Sequence, residues 1–221
     1  MGSAWSVAIR ERAYLWVMPP KIAVIHYSST GNVYRLAAAI GEGAAEEGAE
    51  VRVLRVAELA PPEAIAQNLK WQEHATFAEG EGGVATATLD DLEWADGVAL
   101  GSPTRFGLPT AQLKQFLDQT GGLWGKGALS GKVVTAFTSA STSHGGLEST
   151  VLAMLNTAYH WGSIIMPLGY TDPAVFATGN PYGASWVPKK GSTPDDAALA
   201  TARHQGRRLA RVAAALAGAA I

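Results

Sequence analysis

Short, β-branched apolar runs alternate with stretches of helical spacing along most of this chain. Lys21-Ile22-Ala23-Val24-Ile25-His26-Tyr27 is a strand buried on both faces, since its apolar positions are nearly continuous. Ser28 to Asn32 form a polar turn. From Val33 to Glu47 the apolar residues Val33, Leu36, Ala37 and Ile40 recur on one helical face, and Gly48 stops the helix. Val51 to Val56 is a second strand. A strand, a helix and a strand in that order form a parallel, right-handed unit.

The pattern then decays from Ala60 to Val84, where Pro61, Pro62, Gly80, Gly82 and Gly83 punctuate it. This excursion is longer than ordinary connections, which marks it as a functional candidate. Leu89 to Trp94 lead into a third strand, Gly97 to Ser102. Thr110 to Gln119 is a helix, Lys132 to Phe137 a fourth strand, Glu148 to Tyr159 a helix and Ser163 to Pro167 a fifth strand. A second irregular stretch runs from Tyr170 to Thr193. Pro194, Asp195 and Asp196 open a last helix, with a proline near its start and acids in its first turn. Strict alternation predicts one doubly wound α/β domain over residues 21–221, five parallel strands with helices on both faces.

Residues 1–20 read differently. Arg10, Glu11 and Arg12 interrupt their apolar residues, which a secretory signal does not tolerate. They are expected to be an extension outside the domain, with Met18 as an alternative start. No apolar run reaches the roughly 20 residues needed to cross a bilayer, so no membrane insertion and a cytoplasmic location are expected. The chain has 221 residues and no cysteine, which excludes disulfides, thiol catalysis and Cys-based metal sites. Redox work would need a bound cofactor. The formal net charge of -2 offers no attraction to nucleic acid and no acidic docking face.

In an open parallel sheet, ligands bind beyond the carboxyl ends of the strands, where strand order reverses. Three loops at that edge have unusual compositions. Ser28-Ser29-Thr30-Gly31-Asn32 sets three hydroxyls and a row of free N–H groups at a helix N-terminus. It suits a single terminal phosphate, or else it is an ordinary N-cap. It lacks the Lys of a triphosphate loop and the G-x-G-x-x-G of a dinucleotide loop. Gly101-Ser102-Pro103-Thr104-Arg105-Phe106-Gly107-Leu108-Pro109 is either a tight turn with Phe106 in the core or a support for a flat ring. Thr138-Ser139-Ala140-Ser141-Thr142-Ser143-His144-Gly145-Gly146 is small and hydroxyl-rich, so its backbone can approach a ligand, or it is a flexible surface loop.

The strings YSSTG (27–31), GSPTRFG (101–107), FLDQTGGLW (116–124), His144-Gly145-Gly146 and Pro181-Tyr182-Gly183 together resemble the flavodoxin-like NAD(P)H:quinone oxidoreductases of the tryptophan-repressor-binding-protein (WrbA) type. The likeness covers about residues 21 to 217. It implies sheet order 2-1-3-4-5, FMN as cofactor, NADH or NADPH as donor, a quinone as acceptor, and a homotetramer. Ser28, Ser29, Thr30, Gly31, Asn32 and Val33 would hold the ribityl phosphate. Pro103, Thr104, Arg105 and Phe106 would border the isoalloxazine, and Ser139, Ala140, Ser141, Thr142, Ser143, His144 and Gly145 its other edge and the ribityl chain. His160 would sit over the flavin near the substrate, and Trp124 of a neighbouring subunit would wall the quinone pocket. Arg105 would stabilise charge on the reduced ring through its side chain or its N–H.

The residues leave blander readings open: His160 as a helix-end group before Gly162, and Trp124 as core. The chain departs from the family at Thr30, often a Tyr, and in a third loop one residue longer than in some members. The competing functions are a one-electron carrier on the same fold and a regulatory partner protein.

Overall fold

The computed structural model describes residues 18–81, 83–189 and 191–217; the extension expected over 1–20 therefore falls almost wholly outside the described residues. The strands are β1 (Lys21–His26), β2 (Glu50–Arg55), β3 (Gly97–Pro103), β4 (Val133–Ser139), β5 (Ile164–Ile165) and β6 (Ser185–Trp186). The helices are α1 (Asn32–Glu46), α2 (Pro62–Ala66), α3 (Leu69–Glu79), α4 (Leu89–Trp94), α5 (Ala111–Asp118), α6 (Gly121–Gly125), α7 (Leu147–Trp161), α8 (Pro173–Thr178) and α9 (Asp196–Leu216). Among the described residues, no helix is long and apolar enough to cross a membrane.

All pairings in the sheet are parallel, in the order β2-β1-β3-β4-β5 that the family resemblance implies. Successive side chains of a strand face opposite ways, and β1 shows the result. Ile22 and Val24 pack with Leu36, Ile40, Ala202 and Leu209 beneath α1 and α9. Ala23 and Ile25 pack with Leu113, Phe116, Val151 and Met154 beneath α5 and α7. Both layers are apolar, which explains why β1 reads as an almost unbroken apolar run.

Two expectations differ from the fold. The fifth strand is split. β5 pairs with Val133 and Val134, whereas β6 takes over the same edge further along, beside Thr138 and Ser139. Met166 N–H still donates to Val134 O at 2.8 Å. Beyond Met166 the chain leaves the sheet, and it rejoins the same edge at Ser185. The excursion between β2 and β3 is also more ordered than its composition predicts, since it contains α2 and α3. Only Ala78 of α3 is fully buried, so the helix carries little apolar periodicity to read.

Candidate functional site

The carboxyl ends of β1, β3 and β4 lie side by side and bring the three loops together. Tyr27 N–H donates to Gly101 O at 2.9 Å, and Thr104 N–H to Ser139 O at 2.8 Å. Thr104 then ties the second loop to the third. Its hydroxyl donates to Gly145 O (3.3 Å) and accepts from Gly107 N–H (3.1 Å) and from the Thr150 hydroxyl (2.7 Å). A Cβ on Gly146 would stand 2.7 Å from Gly107 Cα, so the two loops touch backbone to backbone.

The first loop is not an ordinary cap. The N-cap of α1 is Gly31, in the left-handed region at φ 85°, and no side chain caps the helix. Ser28 Oγ accepts from Gly31 N–H at 3.1 Å, closing the loop on itself. The first-turn N–H groups of α1 therefore remain available beside Ser28, Ser29 and Thr30, a donor set that fits a terminal phosphate. Val33 is buried in the core, so only its backbone N–H is left to face a ligand.

Phe106 is fully exposed at φ 54°, which rules out a core role. It sits at the tip of a turn closed by Arg105 N–H to Leu108 O (2.8 Å) and Leu108 N–H to Arg105 O (3.0 Å). The Arg105 N–H is thus committed, and only its guanidinium is left to face a ligand. Ser139 and Ala140 are buried at the end of β4, whereas Ser141, Thr142, Ser143 and His144 are exposed.

Trp124 and His160 come from helices, not from these loops. Trp124 is exposed on α6, which is not a core position. The start of that helix is fixed by Thr120, whose hydroxyl donates to Leu117 O and accepts from Trp161 Nε1. His160 is exposed in the last turn of α7, and Gly162 caps that helix with its own N–H, so His160 is not needed as a cap. It lines a groove of about 460 Å³ with Leu108, Pro109, Lys114 and Leu117.

Two residues carry no signal in the sequence and emerge only from the fold. Glu58, just after β2, accepts from Tyr27 OH (2.8 Å), Trp71 Nε1 (3.2 Å), Gln112 Nε2 (2.7 Å) and the N–H groups of Leu59 and Ala60. It fastens α3 and α5 to the end of β1. Burial alone would raise its carboxyl pKa, but these hydrogen bonds outweigh burial and hold it below the usual value. Its stabilisation is therefore present above the unfolded-state value of about 4.3 and lost as pH falls through the lower folded value. Glu58→Gln is expected to cost about 1–2 kcal/mol at neutral pH, since an amide presents donors where donors already point. In urea titrations the gap from the parent should narrow below about pH 4; a gap independent of pH would show that the charge is not what matters. The second residue is His74 on α3, whose Nδ1 lies 3.4 Å from where a Gly31 Cβ would be. Neighbouring His26 is buried with Nδ1 unpartnered among the described residues, and burial followed by the His74 charge pushes its pKa down to about 3.

The family model described as NADPH-dependent FMN reductase matches residues 20–171. A protein of Deinococcus radiodurans named NAD(P)H dehydrogenase (quinone) is 43% identical over 201 residues, covering 90% of this chain and 98% of its own. One of the same name from Methylocella silvestris is 42% identical over 205 residues, covering 90% and 99%. Among solved structures, a WrbA-like flavodoxin from Agrobacterium tumefaciens superposes with a TM-score of 0.61 at 24% identity, covering 88% of this chain and 97% of that one, which speaks to the fold. With its loop motifs, its sheet order and these relatives, the chain belongs to the NADPH-dependent FMN reductase family and has the flavodoxin-like fold.

Proposed function

We propose that the protein oxidises NADH or NADPH and passes two electrons to a quinone, using FMN held at the carboxyl edge of the sheet. The observation that carries this reading is the first loop, where hydroxyls and open N–H groups converge and no side chain caps the helix. The printed names of the relatives support the same substrates. FMN, when bound, supplies the two-electron chemistry between nicotinamide and quinone.

The chain's own residues position and shield that chemistry. Ser28 to Val33 hold the phosphate. Thr104 fixes the second and third loops against each other, so Arg105 and Phe106 border the ring from a rigid base. The Arg105 guanidinium stabilises negative charge on the ring's polar edge. His160 hydrogen-bonds the quinone oxygen or supplies its proton. We infer that His160 and Trp124 act across a subunit boundary in a homotetramer. Trp124, Leu152 and Tyr159 leave apolar surface exposed on α6 and α7, which supports such an assembly. Sedimentation giving only monomer at micromolar concentration would count against it.

Nicotinamide and quinone would share one open face beside Phe106, so each excludes the other. Initial rates at several fixed quinone concentrations should give parallel lines, as a ping-pong scheme requires. Intersecting lines would overturn the shared face. His160→Ala should slow the quinone half-reaction more than the nicotinamide half-reaction.

A further inference from the structure

A cleft of about 530 Å³ opens beside the phosphate loop, between α1, α3 and the segment before α9. Thr30, Gly31 and Asn32 belong to both the loop and the cleft, so the cleft adjoins the proposed FMN phosphate site. One wall is aromatic. Phe77 is half exposed and packs against Tyr34 at 5.2 Å and His74 at 5.9 Å between ring centroids. Burial and then the Arg35 guanidinium hold the His74 pKa below its ordinary value.

Two cations stand at the mouth. Arg35 is exposed on α1 and has no ion-pair partner among the described residues. Lys70 reaches across from α3 to donate to Gly191 O at 2.7 Å, which holds its charge at the rim. Glu73 lies on the same side and can accept from sugar hydroxyls. A flat apolar ring, a carboxylate and two cations match a purine, a ribose and a phosphate in turn.

We propose that this cleft takes the adenosine 2′-phosphate end of the reduced nicotinamide donor, with Arg35 and Lys70 favouring NADPH over NADH. The proposal rests on the reading of the protein as an NAD(P)H oxidoreductase. The FMN phosphate would occupy the loop N–H groups, and the two side-chain cations serve a second anion beyond them.

The test uses the FMN-loaded protein and calorimetric titration with adenosine 2′,5′-bisphosphate and with ADP. The bisphosphate should bind about tenfold tighter or more, the factor expected for one hydrogen bond to a charged group. In the double variant Arg35→Gln, Lys70→Gln that preference should vanish while the FMN content stays that of the parent. The KM for NADPH should rise about tenfold relative to that for NADH. Equal affinity for the two nucleotides in the parent, equal losses for NADH and NADPH in the variant, or loss of FMN would each overturn the proposal. Selective bisphosphate binding without NAD(P)H oxidation would instead sustain the cleft and overturn the enzymatic reading.

Discussion

Gly206→Ala should destabilise the protein by about 3 kcal/mol, lowering the melting temperature by roughly 6–12 °C in a chain of this size. A Cβ at Gly206 on α9 would stand 1.9 Å from Ile40 O on α1, and one at Gly43 on α1 would stand 2.0 Å from Arg203 O. The two helices cross with their backbones in contact. The obstructing atoms are carbonyl oxygens, which cannot rotate away as a side-chain tip can, so one helix must move. Alanine improves helix propensity by about 1 kcal/mol over glycine, which is too little to offset that displacement. The ion pairs flanking the crossing, Arg203 with Glu42, Arg207 with Glu46 and Arg211 with Glu47, are surface pairs of small worth each. Gly121→Ala is the control, since a Cβ there meets nothing within 4 Å. Similar melting temperatures for both variants would refute the tight crossing.

Ser28→Ala combined with Thr30→Ala should weaken FMN on the order of a hundredfold, from about 1–3 kcal/mol for each charge-assisted hydrogen bond lost. Riboflavin, which has no phosphate, should bind the variant nearly as well as the parent. Ser28 carries a further duty, because its Oγ accepts from Gly31 N–H and sets the shape of the loop. Ser28→Ala alone is therefore expected to cost more than Thr30→Ala, whose side chain is exposed. Fluorescence titration of the two flavins reads both effects, and equal losses for FMN and riboflavin would place the hydroxyls away from the phosphate.

How legible these features are in the sequence depends on how locally they are encoded. β1, β3 and β4 announce themselves because burial on both faces demands apolar or small residues, whereas β2, an edge strand with Arg52 and Arg55, is legible by its place after the first helix. The three loops stand out because glycine, proline and hydroxyl residues are concentrated at strand ends. The split of the last strand is harder to see, since β6 is only two residues long and gains its place from β4. Glu58 gives no local signal at all. A carboxylate after a strand looks ordinary until Tyr27, Trp71 and Gln112 arrive from 31, 13 and 54 residues away. His74 and Arg35 are hidden for the same reason, as their neighbourhood exists only once α3 has folded over the start of α1.

The turn that carries Phe106 has a consequence for affinity as well as shape. A bulky residue in the left-handed region costs on the order of 1–3 kcal/mol, and here the hydrogen bonds between Arg105 and Leu108 keep it there. That cost falls at the moment the chain folds. A backbone already fixed in this shape loses little further freedom if a planar ligand settles against Phe106, so such an encounter would be less opposed by entropy than on a loose loop. On the proposed reading, the turn gives up folding stability in return for a tighter hold on the ligand beside Phe106.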